Sequence, residues 1–136
     1  MRIWHYELIP YLPKSQLIAQ WRELNSIYKK QDKHILINYI YNYEKEYLYN
    51  YSAMVIKEMS KRNIKIKNWT NFNKYFELID RTEDYSNLMF SEHDKVYLTI
   101  CYFNLREKCM RGQKDFDMLT FIKLDYFYKE YLGDNV

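Results

Sequence analysis

One carboxylate in the first quarter of the chain stands where it could act on a bound molecule. Glu23 follows Gln16 by seven residues, a spacing that puts both side chains on one side of a helix, two turns apart. Arg22 lies beside this face, which is otherwise able to form hydrogen bonds. A carboxylate in such a place can transfer protons or stabilise positive charge. The alternative is a solvated helix carboxylate paired with a nearby base.

Histidine and cysteine spacing predicts no metal site. His5, His34 and His93 form no HxxxH or HExxH motif. Cys101 and Cys109 are eight residues apart on one predicted helix, and eight residues rise about 12 Å, too far for a disulfide or a shared ligand. No Ser–His–Asp arrangement is readable. We therefore expect neither a metal nor an organic cofactor, and we interpret the cysteines as small packing residues.

The composition predicts one folded, cytoplasmic domain spanning residues 1–136. Hydrophobic residues make up 48% and charged residues 29%, which argues against disorder. Glycine occurs only at Gly112 and Gly133, which excludes phosphate-binding loops and dinucleotide fingerprints. The start has no apolar signal region, and the densest apolar run, Val96 to Phe103, is far shorter than the roughly 20 residues that span a bilayer. We expect a monomer that does not associate with membranes.

Charge is distributed unevenly along the chain. Residues 1–74 contain 13 Lys and Arg against 6 Asp and Glu, a net charge of +7, whereas residues 75–136 contain 8 against 12, a net charge of −4. A basic half beside an acidic half fits a one-sided surface for a polyanion. Ordinary fluctuation with solvated lysines is the alternative interpretation. The 16 tyrosines could stack on exposed bases, although biased composition explains most of them.

Apolar periodicity predicts an all-α domain of three main helices, a short helix and an aromatic C-terminal helix. Leu17, Trp21, Leu24 and Tyr28 form one stripe at the helical period. Residues 31–43 could be extended or loop. The predicted helices span residues 13–30, 44–62, 71–79, 92–110 and 118–131.

Local signals set the ends of these helices and the core of the third main one. Asn63 is a plausible C-cap for the second helix because Asn tolerates the left-handed conformation, and Gly112 is expected to stop the third. Ser91 resembles an N-cap, with Asp94 in a capping-box-like position. The expected buried positions of this third helix include Val96, Ile100, Phe103 and Leu105.

Several motifs, in order, resemble a family of DNA repair enzymes. The motifs are Met1-Arg2-Ile3-Trp4-His5, Trp21-Arg22-Glu23-Leu24, Lys33-His34, Glu58-Met59-Ser60-Lys61-Arg62 and Phe90-Ser91-Glu92-His93-Asp94. Together they resemble the phage-type endonuclease V family, the pyrimidine-dimer DNA glycosylases, and in particular a bacterial branch of it. The resemblance covers about residues 1–111, and the tail from Gln113 is unmatched in detail.

The resemblance implies a metal-free reaction on double-stranded DNA that contains damaged pyrimidines or abasic sites. The nucleophile would be the α-amine of Met1, and Glu23 would stabilise charge at the sugar and move protons. Base removal would be followed by a Schiff base and by β-elimination, the abasic-site lyase step. Because Arg2 is bulky, we expect Met1 to be retained.

The resemblance also implies DNA contacts. Arg2 and Arg22 match arginines that contact DNA in the family, and Gln16 replaces a family histidine. Ser26 replaces a further arginine, for which Lys29 and Lys30 could substitute. The full set of expected DNA-binding residues is Arg2, Gln16, Arg22, Lys29, Lys30, Lys33, His34 and Lys61. The alternative function is a non-catalytic helical module that binds nucleic acid or protein.

Overall fold

A computed structural model describes residues 2–133 and shows an all-helical domain. Within that range there are no strands, and the chain forms five α-helices and two 3-10 helices. The predicted fold class is therefore confirmed. The α-helices are α1 (Lys14–Lys29), α2 (Lys45–Lys61), α3 (Thr70–Tyr75), α4 (Lys95–Met110) and α5 (Met118–Gly133); the 3-10 helices are Tyr6–Tyr11 and Asn38–Asn42.

Helix α1 lies at the centre of the core, packed on α2 and α3. The predicted stripe is confirmed, since Leu17, Trp21, Leu24 and Tyr28 are all buried. The helix begins after Pro13, whose missing N–H costs nothing at that place. Asp115, from the α4–α5 connection, accepts hydrogen bonds from the Ser15 backbone N–H at 2.6 Å and the Ser15 hydroxyl at 2.7 Å. A distant carboxylate thus caps the first turn of α1.

The N-terminal segment, residues 2–13, is fixed in the core, where Trp4 is buried. Its 3-10 helix, Tyr6–Tyr11, was not among the predicted helices. Arg62, at the end of α2, donates to the carbonyls of Leu12 at 2.6 Å and Pro10 at 3.0 Å, and Glu58 accepts from its Nε at 2.8 Å. Arg62 therefore joins the end of α2 to the segment that leads into α1.

Two helix ends agree with their local signals. Asn63 has a φ of 60°, and the Ile64 N–H donates to the Met59 carbonyl at 2.9 Å, so the left-handed residue turns the chain away after α2. Gly112 has a φ of 81° directly after α4. Between residues 31 and 43, where the sequence left extended and loop conformations open, the structure forms the 3-10 helix Asn38–Asn42.

The predictions for α4 need two corrections. Its N-cap is Asp94, which accepts from the Tyr97 N–H at 2.8 Å, whereas the Ser91 hydroxyl bonds to Tyr43. Val96, Ile100 and Phe103 were expected to be buried and are 68%, 44% and 50% exposed; only Leu105 is buried as expected. The core side of the helix holds Leu98, Cys101, Tyr102 and Leu105. Because α4 has apolar residues on both its inner and its outer side, periodicity could not distinguish its core face from its outer face.

A pair of buried histidines joins the N-terminal segment to the start of α4. The rings of His5 and His93 stack with centroids 5.4 Å apart. His93 Nδ1 accepts from the Tyr6 N–H at 3.3 Å, and its Nε2 bonds to the Tyr39 hydroxyl at 2.7 Å. Burial lowers the pKa of His5 to about 4, and burial together with the neighbouring His5 lowers the pKa of His93 to about 3. Both rings are therefore neutral in the folded protein near neutral pH.

This pair makes the fold sensitive to mild acid. Histidine in the unfolded chain takes up its proton near pH 6.5, whereas the folded rings do so only near pH 4 and pH 3. The contribution of the neutral rings to the free energy of unfolding is therefore present above about pH 6.5 and is lost as the pH falls below that value. We expect a free energy of unfolding about 2–4 kcal/mol lower at about pH 5 than at about pH 7.5. Urea unfolding of wild type, His93→Gln and the control His34→Gln tests this. The pH dependence should fall by about half in His93→Gln, which keeps His5, and should stay unchanged in His34→Gln; equal slopes in all three proteins would contradict the assignment.

No helix among the described residues is both long and apolar enough to cross a bilayer.

Candidate active site

A pocket of ≈ 260 Å³ opens between α1, the N-terminal segment and α4. It combines one carboxylate with two basic side chains and three amides. Its lining residues are Arg2, Trp4, Gln16, Ala19, Gln20, Glu23, Leu36, Asn104 and Lys108. Three of the predicted site residues, Arg2, Gln16 and Glu23, therefore share one pocket.

Among the residues that the structure describes, Glu23 is the only acidic side chain in this lining. It is half-buried, and its Oε1 is fully buried with no hydrogen-bond partner among residues 2–133. Burial raises the pKa of Glu23; the charge of Asp32 raises it further, and that of His34 lowers it. A desolvated carboxyl group takes up a proton more readily than an exposed one, which suits it to acid–base work.

Gln20 attaches the N-terminal segment to the face of α1 that carries Glu23. Its Oε1 accepts from the Trp4 N–H at 2.7 Å, and its Nε2 donates to the Arg2 carbonyl at 3.2 Å. Tyr51 of α2 supports this contact by donating to Gln20 Oε1 at 3.0 Å and to the Trp4 carbonyl at 2.6 Å. Because Gln20 and Glu23 are neighbours on one helix face, the backbone at Arg2 is held one turn from the carboxylate. Met1, the predicted nucleophile, lies outside the described residues.

The Arg2 side chain is held by aromatic rings. Its guanidinium carbon lies 6.0 Å from the ring centroids of both Trp4 and Tyr97. Contacts of this kind restrain the planar guanidinium, which lines the pocket.

The remaining predicted DNA-binding residues lie outside the pocket. Arg22, Lys30, Lys33 and His34 are exposed side chains of α1 and the loop that follows it. Lys29 borders a separate depression with Tyr75, and Lys61 borders another with Trp69. The structure therefore does not gather the predicted cations into a single cluster.

Asn104 and Lys108 are pocket residues that sequence reasoning missed. They lie four residues apart on α4, so both side chains point to one side of that helix. Lys108 is half-buried, and its ammonium group has no hydrogen bond or ion pair with any residue the structure describes. The spacing of an amide and a cation was visible in the sequence, but nothing local linked them to Glu23, more than eighty positions earlier.

No group of three or more histidine, cysteine, aspartate or glutamate side chains within the described range could hold a metal ion.

The pocket residues of the N-terminal segment and of α1 all lie in a part of the chain that matches a known protein family. A family model described as pyrimidine dimer DNA glycosylase matches residues 1–72, just over half of the chain. This region includes α1, α2 and the start of α3. No curated protein and no solved structure matches the chain. On the strength of the match over residues 1–72, the chain belongs to the pyrimidine dimer DNA glycosylase family.

Proposed function

We propose that this protein removes damaged pyrimidines from double-stranded DNA and then nicks the abasic strand by β-elimination. The α-amine of Met1 is the nucleophile, and Glu23 is the acid–base group. The reaction uses no metal or organic cofactor. The observation that carries this proposal is the half-buried Glu23 carboxyl group, whose buried Oε1 has no hydrogen-bond partner among residues 2–133, in a pocket that also contains Arg2.

An α-amine suits nucleophilic attack near neutral pH. Its ordinary pKa of about 7.7–8.0 lies well below the value of about 10.4 for lysine. On the order of a tenth of such an amine is therefore neutral at pH 7, whereas a solvated lysine is almost wholly protonated. The anchoring of Arg2 by Gln20 supports this assignment, because it fixes the backbone of the second residue on the helix face of Glu23.

The chemistry proceeds in steps that use both groups. The amine nitrogen bonds to C1′ as the glycosidic bond breaks and the base leaves with its electron pair. Protonation of O4′ opens the sugar ring and gives the Schiff base. Removal of a C2′ proton then expels the 3′ phosphate, and water releases the amine. Glu23 stabilises the positive charge near C1′ and moves the protons at O4′ and C2′.

DNA binding relies on contacts with the phosphate backbone. Arg22, Lys30 and Lys33 are exposed on α1 and the loop that follows it, and Arg2 and Lys108 line the pocket. Cations of this kind make affinity fall as salt rises, by a slope that reflects the number of phosphates neutralised. Lys29, Lys61, His34 and Gln16 extend the proposed set of DNA-binding residues.

Borohydride trapping tests the proposal directly. Wild-type protein incubated with abasic duplex DNA and borohydride should form a covalent adduct, because reduction fixes the Schiff base. Mapping should place the adduct on the peptide that begins at Met1. The matched variant Lys108→Arg keeps the charge in the pocket but removes its only lysine amine, and it should still be trapped. An adduct on Lys108 would refute the assignment to Met1.

The same measurement separates the proposal from its rival. A non-catalytic module that binds nucleic acid through its basic surface would bind the duplex and yield no adduct. Failure to trap any protein, at a concentration where binding is complete, would favour that rival.

A further inference from the structure

The outer sides of α4 and α5 expose an unusual amount of apolar surface. Of the eleven large hydrophobic residues exposed within residues 2–133, eight lie on these two helices. We refer to these eight as the α4–α5 face: Val96, Ile100, Phe103, Met110, Met118, Leu119, Ile122 and Tyr126.

The α4–α5 face consists of stripes on two neighbouring helices. Val96, Ile100 and Phe103 recur at four and then three residues along α4, so they follow one side of that helix. On α5, Leu119, Ile122 and Tyr126 follow the same kind of stripe. The helices pack together through the stacked rings of Tyr102 and Tyr128, whose centroids are 3.8 Å apart.

We propose that the α4–α5 face is the interface through which two copies of this chain form a symmetric dimer. The first argument is area. With on the order of 200 Å² for each large apolar residue, the exposed fractions of 44–68% correspond to roughly 900 Å². A specific interface buries about 800 Å² on each partner. The exposed surface of these eight residues is therefore about as large as one side of a stable dimer contact.

The total surface of the chain gives a second argument. Its accessible area is 8729 Å², whereas a compact monomer of 17.1 kDa exposes about 7,800 Å². The excess is of the same order as the area that one side of an interface would remove.

The side-chain types and charges favour a second copy over other partners. Phenylalanine, tyrosine and methionine are enriched in the centres of interfaces, and the α4–α5 face contains all three. Charges of both signs flank it, in the ion pairs Lys129–Asp125 at 2.8 Å and Arg111–Glu107 at 2.9 Å. A two-fold contact sets each patch against itself, so mixed charges can pair across the axis. A polyanion would require a surface of one sign.

Sedimentation velocity tests the dimer. The wild-type protein should sediment as a dimer whose fraction rises with concentration, from about 1 μM to about 200 μM. Ile122→Glu and Tyr126→Glu place a charge in the proposed interface and should weaken dimerisation at least about a hundredfold. Neither side chain makes a ring contact or a hydrogen bond with another residue in the range 2–133, so both variants should fold, as circular dichroism will show. Leu78→Glu is the matched control, because Leu78 is 95% exposed and lies outside the face.

Sedimentation measures the oligomeric state alone, so these results test the dimer independently of the proposed enzymatic activity. A dimer lost in the two α5 variants and kept in Leu78→Glu supports it. A wild-type monomer at every concentration, as expected from the sequence, overturns it. A dimer that survives both α5 substitutions also overturns it, because the interface would then lie elsewhere.

Discussion

Glu23→Gln is expected to lower the rates of base release and strand nicking by about 10²–10⁴-fold, the usual contribution of a positioned acid–base group. Glutamine keeps the size of the side chain but can neither exchange a proton at neutral pH nor carry negative charge. Binding of damaged duplex should be nearly unchanged, because Glu23 contributes no positive charge to the phosphate contacts. Single-turnover kinetics with labelled duplex, together with equilibrium binding, measures the two effects separately.

Glu7 provides a control for the burial of the Glu23 carboxyl group. It also has a buried carboxylate oxygen with no partner among residues 2–133, and burial also raises its pKa. Glu7 does not line the pocket. Glu7→Gln should therefore leave both rates near wild type. Equal losses in the two variants would show that removing a buried carboxylate disturbs the fold. Unchanged rates in Glu23→Gln would show that Glu23 takes no part in the reaction.

A structural role for Glu23 predicts a different outcome in stability. Because its buried Oε1 makes no hydrogen bond with any described residue, replacing Glu23 by glutamine breaks no hydrogen bond of that atom within residues 2–133. The free energy of unfolding of Glu23→Gln should stay within about 0.5 kcal/mol of wild type or rise, since a desolvated carboxylate is removed. A large rate loss with unchanged stability is the signature of a chemical role.

Local patterns were sufficient to predict helix α1 and the part of the site that it carries. The stripe from Leu17 to Tyr28 fixed which side of α1 faces the core, and this in turn placed Gln16 and Glu23 on its flank. Helical period is a property of neighbouring residues, so sequence alone contains it. The opposite wall of the pocket depends on how α4 packs. No local pattern specifies which residues of a helix will meet a segment eighty positions earlier, and Asn104 and Lys108 were missed for that reason.

The errors on α4 have the same origin. Apolar residues occur on both its inner and its outer side, and the hydrophobic pattern predicted Val96, Ile100 and Phe103 to be buried. In a single copy of the chain, α5 covers the side of α4 that carries Tyr102. Val96, Ile100 and Phe103 stay exposed. The proposed dimer would bury these three side chains. The burial predicted from the hydrophobic pattern would then hold in the dimer, although it does not hold in a single copy of the chain.

An N-terminal Gly-Ser extension is expected to slow nicking of abasic DNA by at least about a hundredfold, because displacement of a reacting group by even 1 Å can cost that much. The extension moves the free α-amine by two residues, a span of up to about 7 Å. Gln20 still holds Arg2 on the face of Glu23, so the original position would contain an amide nitrogen, which is not nucleophilic. The matched control adds Gly-Ser after Val136, and single-turnover nicking with borohydride trapping provides the readout. Full activity of the N-terminally extended protein, with the C-terminal control equally active, would assign the nucleophile to another amine.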